Sequence, residues 1–513
     1  MEKRPRDIWE IFSRFGNGPV KTTSLLWGLS IIIALCIGGY YVRPWFHGLV
    51  IGIYRSPLFM MFLFAIILLA LINLIMLFYM SRAQFKDTGR YNMFKRVRSI
   101  LTVVVVIFMI CLVPLFFYSG YYMDRALYEE TDYVLLDGMP ETDVIRFLPF
   151  SVAERYSLDV FTDPQYTLGD GDLVKEDGRL YWNFPMVPEG SILYFTKKPQ
   201  GVISISADNS SKEIETNMQE MEIGEDIGIT DNIEWQIYKK DMFCDIADIY
   251  YQDDKIIVSV IKYKFKLIGR YPYFGGVYTI DFDGNIEYYS PEDAAEQPWG
   301  NRIYPESLAR KQVEVVNTRK GLLNMWFYHE EMIEIQDVYS GGNQQPFLLD
   351  TEDGLVWMTA VEPRGRSFGL YELYFQNAVD GKIYLYRVSE DNLTGPRYSV
   401  DYVKKTFPNY DWYSFYISEP RPIIKDGELY WLVSIVPNDS AGVTMQCVVN
   451  AKTSEVTSFD SDEKVLAFFE GEQPLPPDEG VTIEDVKEKI REVEDILEEL
   501  KALLEELEPQ QVN

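Results

Sequence analysis

Hydrophobic positions divide the chain into three regimes of different period. Between Thr22 and Met123 they run together: Thr22–Val42, Ser56–Ser81 and Ser99–Met123 hold no charged side chain, and each is long enough to cross about 30 Å of hydrocarbon as a helix. From Val134 to Glu470 they come in short runs rich in Val, Ile, Tyr, Phe and Trp, broken by Asp-Gly, Gly-Gly and Pro-containing turns. That punctuation predicts strands and hairpins. Beyond the Pro-rich stretch Glu472–Pro477, apolar residues return at alternating steps of three and four: Ile483, Val486, Ile490, Val493, Leu497, Leu500, Leu504 and Leu507. This seam predicts a coiled coil and hence a homo-oligomer, with Thr482 placed to cap the helix and Asp485 to favour its positive end. The expected fold class is an α+β membrane protein. It has a tail (1–21), three transmembrane helices (22–123), a large extracytoplasmic domain of antiparallel sheets with covering helices (124–470), a linker (471–480) and a C-terminal coiled-coil helix (481–508).

The strand-rich region repeats itself. Asp177-Gly-Arg-Leu-Tyr-Trp182 is followed after four residues by Val187-Pro188, and Asp426-Gly-Glu-Leu-Tyr-Trp431 after four by Val436-Pro437. Asp353-Gly-Leu-Val-Trp357 reads as a third copy, one residue shorter before its tryptophan, and Asp253-Asp-Lys-Ile-Ile-Val258 as a fourth without the aromatic. Returning strands correspond as well, from Asn377-Ala378 to Ile383 and from Asn450-Ala451 to Val456, with Asp283-Gly-Asn-Ile286 a looser version. Runs such as Leu429 to Val436 are apolar at every position, so both faces need cover. Pro305 to Asn317, with Leu308, Val315 and Val316, and the spacing of Val400, Val403 and Phe407 predict helices that supply it. A helix followed by a Leu-Tyr-Trp strand and an Asn-Ala-Lys-Thr-Ser-Glu-Val strand resembles PepSY-type domains, chiefly over residues 399 to 459 and more faintly over 305 to 386. Asn450 and Ser454 stand where that family usually has Asp and Gly. The resemblance implies a regulatory or binding module of the cell envelope and brings no catalytic residue with it.

Charge orients the chain. Residues 1 to 123 hold 13 Lys or Arg against 4 Asp or Glu, a net +9; the remainder holds 35 against 74, a net −39. The basic residues gather in the tail (Lys3, Arg4, Arg6, Arg14, Lys21) and in the second loop (Arg82 to Arg98), whereas the first loop has only Arg43 and Arg55. Tail and second loop are therefore expected in the cytoplasm and everything after Met123 outside it, in a multi-pass protein of the cell membrane. An outer domain so negative repels phosphate backbones, which argues against nucleic acid as a partner. Asn73 is the strongly polar residue near a span centre, suited to bonding a neighbouring helix and too little for an ion path.

Motifs for catalysis are weak. Gly365-Arg-Ser367-Phe-Gly369 matches a nucleophile-elbow pattern, but a strand and no later histidine follow it. His329 has no second histidine or nearby cysteine for a zinc site. Asp170, Asp172, Glu176 and Asp177, like Asp281, Asp283 and Glu287, read as acidic turns without EF-hand spacing. No catalytic residue, metal site or cofactor is expected. Cys244 and Cys447 are the pair able to form a disulfide, subject to their separation. Tyr181, Trp182, Trp357, Tyr430 and Trp431 recur at one place in the repeat and admit two readings: a groove for a protein, peptide or wall polymer, or the core of the repeated sheets. The expectation is a non-enzymatic envelope protein that binds such a partner. Its alternatives are a structural subunit of a surface assembly and a carboxylate-dependent glycan hydrolase, which needs only two acids at a suitable separation.

Overall fold

The computed structural model describes residues 36–82, 88–160, 163–267, 269–336, 343–365, 369–388 and 392–471, with Ser30, Ile33, Ala34 and Val338 besides. The tail, most of the first expected span, nearly all of the linker and the heptad helix lie outside these residues.

Two described helices, Pro57–Arg82 and Thr88–Glu130, are long and apolar enough to cross a membrane. Mean hydropathy reaches 3.0 in an 18-residue window within Pro57–Leu77 and 3.1 in one within Asn92–Glu130, and those windows are almost entirely uncovered by the rest of the protein. A helix apolar all round and uncovered needs an apolar solvent. The two pack side by side, and Asn73 acts as expected, donating to the Thr102 hydroxyl at 2.6 Å and accepting from Arg98 Nε at 3.2 Å. The second helix continues without a break through Pro114 and past Met123 as far as Glu130. Its extension is wedged into the sheet domain. Ala126 and Leu127 are buried beside Tyr271 and Val315, and Asp124 meets Lys311 at 3.0 Å. Arg125 donates to the Thr318 and Arg319 carbonyls at 2.8 and 2.9 Å, a cation placed on the exposed end of a helical turn.

The first loop is itself a helix, Arg43–Arg55, with Pro44 in its first turn. It docks on the sheet domain. Arg43 donates to the Met242 carbonyl at 2.7 Å, and His47 stacks on Tyr238 at 3.4 Å while its Nε2 meets the Cys244 carbonyl at 2.8 Å.

Four antiparallel sheets carry the rest, each containing a four-stranded meander. The strands are, in order, Asp172–Glu176, Arg179–Pro188, Val202–Ser206 and Ile214–Asn217; Asp245–Gln252, Lys255–Lys266, Gly269–Asp281 and Ile286–Tyr289; Phe347–Thr351, Gly354–Pro363, Glu372–Asn377 and Ile383–Arg387; and Arg421–Lys425, Glu428–Pro437, Met445–Asn450 and Val456–Phe459. In the first, third and fourth sheets a short extra strand pairs with the far half of the second strand. Tyr133–Leu135 adds to the third sheet in parallel.

The sheets follow one another round a circuit, in the manner of propeller blades. The first and second touch directly, and Arg302 lies between Tyr250 of the second and Trp357 of the third. Phe347 of the third meets Trp431 of the fourth. Helix Phe150–Val160 closes the circuit by packing on the first sheet while Arg155 donates to the Pro437 carbonyl at 2.9 Å. The first strands of the first and third sheets are joined by Lys175, which pairs with Asp350 at 2.6 Å.

The repeat has a structural reason. Asp177 and Gly178, and Asp426 and Gly427, all have positive φ, which turns each hairpin in two residues and lets the long second strand start at once. In the third sheet Thr351 pairs with Gly354, so Glu352-Asp353 is the turn and Trp357 stands three residues after the last pair, as Trp182 and Trp431 do. The apparent one-residue deletion is thus a shift of the glycine. Each indole N–H then donates to the residue two before a covering helix: Trp182 to the Leu148 carbonyl at 3.1 Å, Trp357 to Tyr304 at 2.9 Å, Trp431 to Thr394 at 2.8 Å. The N–H groups of Leu148, Tyr304 and Thr394 donate in turn to the carbonyls of Ala207, Ala378 and Ala451. Helices Phe150–Val160, Glu306–Glu314 and Pro396–Thr406 start from these latches, the last two where the apolar spacing predicted them. The second sheet keeps only half of the latch: the Phe282 carbonyl accepts from Glu222, and Val258 stands in the tryptophan's place.

Candidate functional site

The five recurring aromatics do not form an open groove. Trp182, Trp357 and Trp431 are 3%, 3% and 0% exposed with their N–H groups already bonded to the backbone. Tyr181 and Tyr430 are half-buried, the first under Arg179 and the second donating to Glu428 at 2.9 Å. The indoles offer a ligand no face, because the latch that positions each helix has used them. Cys244 and Cys447 are free and lie in separate cores, and burial pushes both thiols up to about 12. The disulfide does not form. His329 is exposed at the end of a helical turn. Part of Gly365 to Gly369 lies outside the described residues, and the strand Glu372–Asn377 follows it. Among the described residues no three Asp, Glu, His or Cys side chains are set to hold a metal.

A polar seam between the first and second sheets brings together residues that sequence left apart. At its centre Arg302, buried, donates to Asp172 at 2.9 Å, to Asp248 at 3.2 Å and to the Leu173 carbonyl at 2.9 Å. Burial raises both aspartates above the usual carboxylate range, and Arg302 pulls them back. Glu225, accepting from the Tyr251 hydroxyl at 3.3 Å, is pushed up to about 8 by burial and then by the charge of Asp172. Glu306 is pushed up to about 7 by burial and by Asp248. Asp172 was visible as part of an acidic turn, but nothing in the spacing of Glu225, Asp248, Arg302 and Glu306 marks them as neighbours.

At one end the seam opens into a polar pocket of about 250 Å³ lined by Glu176, Asn183, Tyr251, Gln252, Asp253 and Asn217 among others. The Asn183 amide N–H groups donate to the Tyr251 carbonyl at 2.7 Å and to Glu176 at 3.2 Å, and Gln252 Nε2 donates to the Lys175 carbonyl at 3.0 Å. Both amides are thereby fixed with their oxygens turned the other way. Asn183 Oδ1 and Gln252 Oε1 are buried and have no donor among the described residues. Burial and the neighbouring Asp253 raise Glu176 above its ordinary value. The wall is thus rich in acceptors, with Lys255 the cation among them, and a buried acceptor without a donor costs about 1–3 kcal/mol until something supplies one.

No family model matches the chain, and no curated protein is similar to it in sequence. Among solved structures, a mutant of the Synechocystis apocarotenoid oxygenase shares 11% identity over 58% of this chain and 50% of its own, with a TM-score of 0.14. A glycoside hydrolase shares 7% identity over 65% of this chain and 80% of its own, with a TM-score of 0.19. At these scores neither likeness carries an argument about fold or activity.

Proposed function

We propose a multi-pass membrane protein whose sheet domain lies outside the cytoplasm and binds, without catalysis, a protein, peptide or wall polymer through a positively charged, donor-rich group. The observation that carries the binding reading is the pair of oriented, donorless oxygens of Asn183 and Gln252 beside Glu176 and Asp253. An ammonium group brings three donors to these acceptors and a positive charge to the two carboxylates. Full-length protein in mild detergent should bind a lysine-containing tripeptide amide or glucosamine saturably, as read by calorimetry. Glu176→Gln should weaken that binding about ten-fold or more, close to 1.4 kcal/mol, with the melting temperature unchanged. No saturable binding of either probe, or equal binding by the variant, would sink the reading.

The orientation rests on the basic residues of tail and second loop and gains support from the docking of Arg43–Arg55 on the sheet domain, since a first loop on that face must share its side of the membrane. Protease added outside intact cells is expected to remove the sheet domain and spare the tail. The reverse pattern would invert the topology. The helix-then-sheet order fits the PepSY-like resemblance, and the heptad seam supports a homo-oligomer, whose mass in light scattering should fall on cleavage at Pro474. A hydrolase reading finds less support, because Asp172 and Asp248 are both engaged by Arg302.

A further inference from the structure

The geometry points to a phospholipid-binding cleft at the outer end of the two apolar helices, separate from the polar pocket. Where Pro57–Arg82 and Thr88–Glu130 meet the sheet domain, a cavity of about 520 Å³ opens between them. Its wall is apolar, formed by Phe59, Met60, Phe116, Phe117, Met325 and Trp326. A second cavity of about 500 Å³, bounded by Phe62, Pro114 and Leu115, shares Leu322 and Trp326 with the first and extends the cleft along the helices. The combined lane suits an acyl chain.

The roof comes from the sheet domain. Asn324–Tyr328 forms a π-helical turn, with the His329 N–H donating to the Asn324 carbonyl at 2.8 Å, and His329 closes it in the left-handed region. Such turns re-aim side chains and recur at functional sites. Here the turn presents Trp326, whose ring lies edge-on to Phe117 at 6.5 Å. Leu323, Phe327 and Tyr328 are 63%, 69% and 70% exposed, a cost in water that a lipid surface removes. Apolar and aromatic residues at the end of spanning helices sit at the headgroup level of a bilayer.

Charge at the mouth selects the headgroup. Arg55 and Asp124 both line the cavity, but Asp124 is already paired with Lys311 at 3.0 Å. Arg55 lies over the Tyr263 ring, and its Nε is buried with no acceptor among the described residues. Ser56 and Ser119 bond each other beside it at 2.9 Å. A phosphate at Arg55 with its acyl chain under Trp326 fills both the charged and the apolar requirement, which free phosphate does not.

Full-length protein, stripped of lipid in mild detergent, should take up one dioctanoyl phosphatidylglycerol per chain by native mass spectrometry. Arg55→Gln should weaken that uptake about ten-fold or more, and Arg55→Lys should restore most of it. Trp326→Ala should weaken it similarly while inorganic phosphate fails to compete. Uptake equal in wild type and both weakening variants would mean only unselective lipid around the helices and overturn the proposal, as would full displacement by inorganic phosphate. Melting temperatures of the variants separate a lost site from a lost fold.

Discussion

Replacing Trp431 by Ala is expected to cost about 3–5 kcal/mol of stability, the range for removing a large buried aromatic. The indole is fully buried against Phe347 of the neighbouring sheet and is the donor that fixes the Thr394 carbonyl ahead of helix Pro396–Thr406. Deletion therefore leaves a cavity between two sheets and an orphaned acceptor at a helix start. Trp431→Phe separates the two effects: it keeps most of the ring and strips the N–H, for about 1–2 kcal/mol. Trp182→Ala and Trp357→Ala should fall in the same range because their latches are equivalent. Urea denaturation of the full chain in mild detergent measures all four. A loss below about 1 kcal/mol for Trp431→Ala, joined to loss of ligand binding, would return the indole to the groove reading.

Arg302→Leu should be about as damaging, about 3–5 kcal/mol at pH 7, because removing one member of a buried ionic group leaves the others uncompensated. Asp172 and Asp248 converge on this guanidinium from the first and second sheets, and Trp357 of the third lies against it. The pH dependence identifies the cause. Without the cation, burial and mutual repulsion hold the folded-state carboxyls above their unfolded value, so the folded form binds more protons and stability falls as pH rises through that window. The variant should thus regain part of its loss between pH 7 and pH 5. A deficit that stays constant over that interval would point to lost packing rather than unpaired charge.

Much of this architecture was legible in the sequence because it rests on period and repetition. The apolar helices, the bond from Asn73, the two-residue turns at Asp177 and Asp426 and the helices at Glu306 and Pro396 all follow from local pattern. The first loop was not legible as a helix. Its inward face carries Arg43, His47 and Ile51, four residues apart, and two of the three are polar because they bond backbone carbonyls of the sheet domain, so a hydrophobic count misses them. The third repeat was misaligned because the eye follows the Asp-Gly pair, whereas the register follows the pairing of Thr351 with Gly354. The recurring aromatics were seen but their use was not: a tryptophan in a groove and one donating to a helix start have the same spacing. The seam around Arg302 and the pocket at Asn183 and Gln252 are assembled from distant segments with no common period, and only the fold brings them together.

The helix Thr88–Glu130 enters the sheet domain without a break, and the helix Arg43–Arg55 grips the same domain at another place. A head on one flexible tether can swivel and sweep a hemisphere. A head held at two points keeps neither freedom. Its pocket keeps one height and one bearing relative to both apolar helices. Any tilt of the head is delivered as torque to both apolar helices together.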